Sequence, residues 1–201
     1  TTEAITPGIA AAMHHKIDLL SDRNTYTGYG DEQGDTPLRK ALSEFYKREY
    51  GVSLEAEEFF VSDGAKADAA NIQQIFSQDS IVAVQDPAYP VYVDSNVAGG
   101  RSEGYDEKER QYKNLVYMPS NESNDFVAEP PKGHVDLIYL CFPNNPTGAV
   151  ATKEQLKKFV DYAVEEKAII IYDAAYCDYI RTPGYVHTIY EVEGAEKVAI
   201  E

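Results

Sequence analysis

Polar residues follow two apolar runs at positions where a parallel sheet would place a ligand. Residues 137–141 are an apolar run that predicts a buried strand, and the polar turn 142–148, with two Asn and two Pro, follows it. A second predicted strand, 169–172, leads into Asp173 and Tyr176. Since α/β sheets bind ligands at the carboxyl ends of their strands, we interpret both ends as parts of one site.

The residue types at these strand ends suit a cationic, aromatic ring. A carboxylate such as Asp173 is costly at the end of a buried strand unless it is paired, and a protonated ring nitrogen is one partner. Asn145 and Tyr176 could both hydrogen-bond to a phenolic oxygen of the ring, and Tyr89, in the stiff segment 87–90, could stack on its face. The structural alternatives are an Asp that caps a turn, a turn Asn and two aromatics at the edge of the core.

A candidate phosphate-binding segment precedes these strand ends in the chain. Residues 62–66 (Ser-Asp-Gly-Ala-Lys) join a predicted strand to a predicted helix, whose first N–H groups favour an anion. Taken alone, a capped helix start is the commoner explanation. A nucleotide-binding module is a third interpretation, but the segment lacks the glycine fingerprint of Rossmann folds.

Strands and helices alternate along the chain, which predicts a three-layer αβα fold with a mostly parallel sheet. Thr152 and Gln155 form a capping box before a helix whose apolar face comprises Leu156, Phe159, Val160 and Ala163. Further strands are predicted at 58–61, 81–84, 115–117 and 198–201, and further helices at 37–50, 65–76 and 90–97.

The composition limits the classes of partner that the protein can bind. A chain of 201 residues can hold one domain with a sizeable core, and its net charge of −16 argues against nucleic acid and against an anionic membrane surface. The two cysteines, Cys141 and Cys177, are expected to be buried thiols in a reducing compartment. No run is long and apolar enough to span a bilayer, and no metal site is expected.

Two motifs resemble the fold-type-I pyridoxal-phosphate-dependent aminotransferases: Asn-Pro-Thr-Gly at 145–148 and Tyr-Asp-x-x-Tyr at 172–176. More narrowly, the chain resembles the diaminopimelate-forming members of that family. The segments that carry this closer resemblance are 26–30, 32–34, 37–39, 61–66 and 172–176.

The resemblance implies a role for each candidate residue. Ala65 and Lys66 would hold the phosphate of pyridoxal 5'-phosphate, chiefly through backbone N–H groups, and Tyr89 would stack on the ring. Asn145, rather than Asn144, and Tyr176 would bind the ring oxygen, and Asp173 the ring nitrogen. Tyr29, Glu32 and Gly34 match a segment that helps to recognise the substrate, where Glu32 could bind the distal ammonium of diaminopimelate.

The resemblance also implies the boundaries of the chain. Residues 1–25 would lead into the large domain, and residues 26–201 would form part of that pyridoxal-phosphate-dependent transferase-like domain. The lysine that holds the cofactor as a Schiff base would follow Glu201, and the arginine that binds the substrate carboxylate would lie further on. We therefore expect a fragment that is inactive alone.

The implied reaction is the transfer of an amino group from glutamate to tetrahydrodipicolinate, giving LL-diaminopimelate and 2-oxoglutarate in lysine biosynthesis. The implied assembly is a homodimer in which residues 26–34 contribute to the neighbour's site, in a bacterial cytoplasm or a plastid stroma. Two alternatives remain open: another fold-type-I aminotransferase or lyase with a different amino-acid specificity, and a cofactor-binding regulator without turnover.

Overall fold

A five-stranded parallel sheet forms the centre of this computed structural model, which describes residues 3–201. Its order is β4-β1-β5-β6-β7, and a separate antiparallel hairpin pairs β2 with β3. The strands are β1 (Val82–Asp86), β2 (Tyr105–Asp106), β3 (Gln111–Tyr112), β4 (Leu115–Pro119), β5 (Leu137–Cys141), β6 (Ile169–Asp173) and β7 (Ala199–Ile200). Every pair in the large sheet is parallel, as predicted.

Within residues 3–201, five α-helices accompany the sheet: α1 (Pro7–Ser21), α2 (Thr36–Tyr50), α3 (Ala65–Asn71), α4 (Val91–Ala98) and α5 (Lys153–Glu166). Short 3₁₀ turns lie at Ala56–Glu58, Ile72–Ile75, Glu122–Asn124, Cys177–Tyr179, Ile189–Glu191 and Ala195–Lys197. Among residues 3–201, no helix has the length and apolar character needed to cross a bilayer.

The sheet buries both of its faces. Successive strand residues point to opposite faces, so Val82 and Val84 pack with Ala69 of α3 and Tyr92 of α4, whereas Ala83 packs on the other side. The second side is covered by α5, whose buried face is Leu156, Phe159, Val160 and Ala163. The predicted three-layer αβα arrangement is therefore confirmed.

The predicted capping box starts α5. Thr152 Oγ1 accepts a hydrogen bond from the N–H of Gln155 at 3.2 Å, and Gln155 Oε1 accepts one from the N–H of Thr152 at 2.8 Å. A cap of this kind stabilises a helix by about 1 kcal/mol. The helix ends at Glu166, and the next residue, Lys167, takes the left-handed conformation with φ 59°.

The strand prediction at 58–61 is wrong. Residues Ala56–Glu58 form a 3₁₀ turn, because Glu55 and Glu58 make a reciprocal capping box. The segment then continues without regular structure, and the N–H of Val61 donates to Gln33 O at 3.0 Å rather than to a strand. Phe59, Phe60 and Val61 have high β propensity, but the turn just before them prevents a strand from forming.

The helix prediction at 65–76 is correct at its start but too long. The α-helix stops at Asn71 and continues as the 3₁₀ turn Ile72–Ile75. A buried guanidinium stabilises the 3₁₀ turn, because Arg101 Nη2 donates to the carbonyls of Gln73 and Phe76 at 2.9 and 3.1 Å. These bonds satisfy carbonyl groups in and just after that turn.

Helix α1 lies in a part of the chain to which the sequence patterns assign no element. Thr6 caps it by accepting from the N–H of Ile9 at 3.4 Å, and Pro7 occupies its first turn. None of its residues is buried. The proposed domain boundary after residue 25 stays a prediction.

Candidate functional site

The sheet opens between β1 and β5, where the strand order changes direction. β1 pairs with β5 only from Val82 to Val84, while its pairing with β4 continues to Asp86. Beyond that point the side chain of Gln85 replaces the ladder, since its Oε1 accepts from the N–H of Cys141 at 2.7 Å. Such a switch point at the carboxyl edge is where open α/β sheets bind ligands.

The polar turn after β5 gives its two asparagines different environments. Asn144 is buried, and its Nδ2 donates to Pro87 O at 3.2 Å and to Thr147 Oγ1 at 3.1 Å, so it ties this turn to the segment after β1. Asn145 is only half-buried, and its Nδ2 lies 3.5 Å from the hydroxyl of Tyr176. The structure therefore brings Asn145 and Tyr176 together.

Asp173 ends β6 beside this pair and accepts two hydrogen bonds. Its Oδ2 accepts from the hydroxyl of Tyr92 at 2.7 Å, and its Oδ1 accepts from the N–H of Ala175 at 2.9 Å. The second bond is the turn cap considered as a structural alternative. The first bond comes from a fully buried side chain, and burial raises the pKa of Tyr92 so that its hydroxyl stays protonated and donates.

Tyr89 and Lys66 lie on the β1 side of the site. The ring of Tyr89 meets the ring of Tyr92 edge to face, with centroids 6.0 Å apart and planes at 76°. Lys66 Nζ is 5.8 Å from the centroid of Tyr89, which places the start of α3 next to this aromatic. As at the start of any helix, the N–H groups of Ala65 and Lys66 have no intrahelical acceptor.

The predicted substrate-recognition residues lie in a loop before α2. The structure brings Gly34 close to Val61, but Tyr29 and Glu32 are exposed to solvent. The loop is held by Arg39, a buried residue whose Nε donates to Gly34 O at 2.9 Å. Of the nine candidate residues, Tyr29, Glu32 and Gly34 are therefore the three that the described contacts do not connect to the strand ends.

A cleft of about 950 Å³ opens from Asn145 and Tyr176 toward Arg181 and Tyr185. Lys66, Tyr89 and Asp173 do not line it. We therefore define the candidate site by the hydrogen bonds and ring contacts among the strand-end residues and not by this cleft. Those contacts bring together the aromatic, amide and carboxylate groups that suit one ligand.

Sequence reasoning missed two residues that organise the site, Tyr92 and Arg39. Tyr92 follows Tyr89 by three positions at the start of α4, so helical spacing could have placed both near one strand end. Arg39 lies on the predicted helix 37–50, and no feature of the sequence indicates that its side chain is buried.

The fold and the strand-end site define an α/β protein that presents aromatic, amide and carboxylate groups at the carboxyl edge of a parallel sheet. Residues 3–201 match the model of the family described as aminotransferase class I and II, and the chain belongs to that family.

Two curated relatives, from Methanosphaera stadtmanae and Desulfotalea psychrophila, are both called LL-diaminopimelate aminotransferase. Each is 50% identical over 200 residues, a match that covers 100% of this chain and 48% of the relative. A solved structure described as L,L-diaminopimelate aminotransferase from Chlamydomonas reinhardtii superposes with a TM-score of 0.89 at 43% identity, covering 99% of this chain and 48% of that one. The chain thus spans about half the length of the relatives it matches.

Proposed function

We propose that this chain forms the cofactor-binding part of a pyridoxal-phosphate-dependent aminotransferase that produces LL-diaminopimelate. The observation that carries the proposal is the convergence of three neighbouring strand ends. They present an aromatic face (Tyr89), an amide and hydroxyl pair (Asn145 and Tyr176) and a carboxylate (Asp173).

The donor and acceptor types of these residues fit pyridoxal phosphate. The amide N–H of Asn145 and the hydroxyl of Tyr176 are donors suited to an anionic ring oxygen, and Asp173 is an acceptor suited to a protonated ring nitrogen. Lys66 and the first N–H groups of α3 supply positive potential for the phosphate. The half-buried ring of Tyr89 offers an apolar surface for the cofactor ring.

The cofactor, when bound, supplies the electron sink for chemistry at the amino-acid α-carbon. Asp173 holds a proton on the ring nitrogen, because a carboxylate beside a pyridine nitrogen favours its protonated form. Asn145 and Tyr176 stabilise negative charge on the ring oxygen by donating to it. Asn144 keeps Asn145 in position through its own bond to Pro87 O.

The proton at the substrate carbon needs a base that these residues do not supply. Lys66 belongs to the phosphate segment, with its Nζ over the ring of Tyr89. We therefore propose that the lysine of the complete enzyme lies outside these 201 residues, and that the whole protein is needed for turnover. We also propose a homodimer with small amino-acid and keto-acid substrates, in a bacterial cytoplasm or a plastid stroma.

The names of the relatives and the loop around Glu32 support diaminopimelate as the substrate. Glu32 is exposed, so its carboxylate is free to meet an ammonium group presented by a ligand in a neighbouring site. A second ammonium distinguishes diaminopimelate from glutamate, and a carboxylate is the natural partner for it.

The proposal is tested with the full-length protein and pyridoxal phosphate. A bound-cofactor absorbance band that glutamate and LL-diaminopimelate both remove is the expected result. The absence of a band, or a band that no amino acid changes, contradicts the proposed class of enzyme.

Specificity is tested by Glu32→Ala, with Glu44→Ala on the exposed face of α2 as the matched control. Loss of the ammonium contact should raise KM for LL-diaminopimelate by about tenfold and leave KM for glutamate within about twofold. An equal loss for both substrates favours a different amino-acid specificity.

A further inference from the structure

Tyr92 places a phenolic hydroxyl in the interior of the site. Its side chain is 1% exposed, and the hydroxyl lies 2.7 Å from Asp173 Oδ2. A hydroxyl is costly to bury without a partner, and a phenylalanine would fill the same volume without that cost. The position therefore uses the hydroxyl and not the ring alone.

The ring of Tyr92 is held in place from several sides. Tyr139 stacks on it with centroids 5.3 Å apart and planes at 24°, and Tyr89 meets it edge to face. Asn96, which is fully buried, donates from Nδ2 to the backbone carbonyl of Tyr92 at 2.7 Å. A donor fixed in this way can fix the carboxylate that accepts from it.

The two bonds to Asp173 determine the plane of its carboxyl group. Tyr92 holds Oδ2 and the N–H of Ala175 holds Oδ1, so neither oxygen can leave without breaking a bond. A carboxylate has about four acceptor positions, and these bonds use two of them. Room for a further donor remains on a carboxylate whose orientation is already set.

We infer that Tyr92 is a positioning residue, which orients the carboxylate of Asp173 toward the ring nitrogen of the cofactor. The inference rests on the proposed function, since it assumes that Asp173 meets that nitrogen. The inference also links two parts of the site. Because Tyr92 contacts both Tyr89 and Asp173, one residue positions the group that faces the cofactor ring and the group that meets its nitrogen.

The test is a binding cycle that changes one protein atom and one cofactor atom. The full-length apoprotein is titrated with pyridoxal phosphate and with its carbocyclic analogue, in which C–H replaces the ring nitrogen. The ratio of the two dissociation constants measures the contact to the nitrogen. It is compared among the unaltered protein, Tyr92→Phe, Tyr139→Phe and Asp173→Asn.

Tyr139→Phe is the matched control, because it removes a buried tyrosine hydroxyl that donates to Ala69 O and not to Asp173. Tyr92→Phe should reduce the preference for the natural cofactor about five- to tenfold, while Tyr139→Phe keeps the original preference. Asp173→Asn should abolish the preference, and adding Tyr92→Phe to it should change nothing more.

The results that would contradict the positioning role differ from those that would contradict the proposed function. A preference in Tyr92→Phe within twofold of the unaltered protein overturns the positioning role, and so does an equal loss in Tyr139→Phe. If the unaltered protein binds neither compound, or binds both equally, the proposed function fails first and the positioning role fails with it.

A second measurement needs no variant and so does not depend on folding. In a crystal structure of the full-length protein with bound cofactor, the Tyr92 hydroxyl should stay within hydrogen-bond distance of Asp173 while the carboxylate contacts the ring nitrogen. A Tyr92 hydroxyl turned away from Asp173 in that complex overturns the inference.

Discussion

Neighbouring residues of one turn have separate tasks, as Asn144 and Asn145 show. Asn144 is buried and bonded to Pro87 O and Thr147 Oγ1, whereas Asn145 reaches Tyr176 with a half-buried amide. Stability and ligand binding should therefore respond to different members of the pair.

Alanine substitution separates these tasks. Asn144→Ala should lower the free energy of unfolding by about 1–3 kcal/mol, because it removes the two hydrogen bonds that this buried amide donates. Asn145→Ala should leave the unfolding energy nearly unchanged and weaken pyridoxal phosphate binding by about tenfold. Urea denaturation and cofactor titration of the full-length protein measure the two effects. A reversed pattern contradicts the assignment of Asn145 to the ligand.

The residue types of the site could be predicted from sequence, but their connections could not. Asp173, Asn145 and Tyr176 follow apolar runs, so their place at the sheet edge follows from the strand pattern. The bond between Tyr92 and Asp173 joins residues 81 positions apart in the chain. Only the packing of α4 on the sheet brings them together, and no local pattern encodes that.

At the scale of elements, the loop before α2 is tied to the segment before α3. The N–H of Val61 donates to Gln33 O at 3.0 Å, and Gln33 Nε2 donates to Glu57 O at 2.5 Å. Gly34 packs so closely there that an added Cβ would lie 2.6 Å from the Cβ of Val61. The loop with Tyr29, Glu32 and Gly34 and the candidate phosphate-binding segment 62–66 are therefore held in place by the same contacts.

Gly34→Ala tests this support, with Gly30→Ala as the control. Gly34 has φ +104°, while a Cβ at Gly30 meets no atom within 4 Å. Strain and the clash with Val61 should reduce the free energy of unfolding by about 1–3 kcal/mol in Gly34→Ala. Thermal unfolding is the measurement, and Gly30→Ala should be close to neutral. Equal stability of the two variants contradicts the tight contact between loop and segment.

The elements differ in how far sequence determines them. The apolar run 137–141 predicts β5 with its correct ends, because Asp136 precedes it and the proline-containing turn 142–148 follows it. The run 58–61 has similar β propensity but carries no strand, since the capping of Glu55 by Glu58 sets a turn just before it. Propensity decides the outcome only where no local bond competes with it.

At the scale of the whole molecule, ion pairs join the layers at the edge opposite the site. His134 precedes β5 and lies between two carboxylates: its Nδ1 is 2.9 Å from Glu166 Oε2 at the end of α5, and its Nε2 is 3.3 Å from Asp136 Oδ1. Asp136 also accepts from the N–H of Ile81 at 2.7 Å, just before β1. One charged cluster thus connects α5 with the starts of two strands.

This cluster predicts a pH dependence of stability. The carboxylate of Glu166, followed by that of Asp136, raises the pKa of His134 above its ordinary value of 6.5. A raised pKa in the folded state means that the stabilisation is complete below the unfolded value and is lost as pH rises through the folded value. The stability advantage over His134→Asn should therefore be larger at pH 6 than at pH 8.5.

Urea denaturation at both pH values checks this difference, and His14→Asn on the exposed helix α1 is the control. His14→Asn should show the same pH dependence as the unaltered protein. An advantage of His134 that grows toward pH 8.5 contradicts the ion-pair assignment.

We propose that the carboxyl edge of the sheet holds pyridoxal phosphate with its ring nitrogen on Asp173. The most direct measurement is ¹⁵N NMR of ring-labelled pyridoxal phosphate bound to the full-length protein at neutral pH. A nitrogen held by Asp173 should show the chemical shift of a protonated pyridine nitrogen, and Asp173→Asn should move that shift to the unprotonated position. An unprotonated nitrogen in the unaltered protein, or a protonated one that Asp173→Asn leaves unchanged, contradicts it.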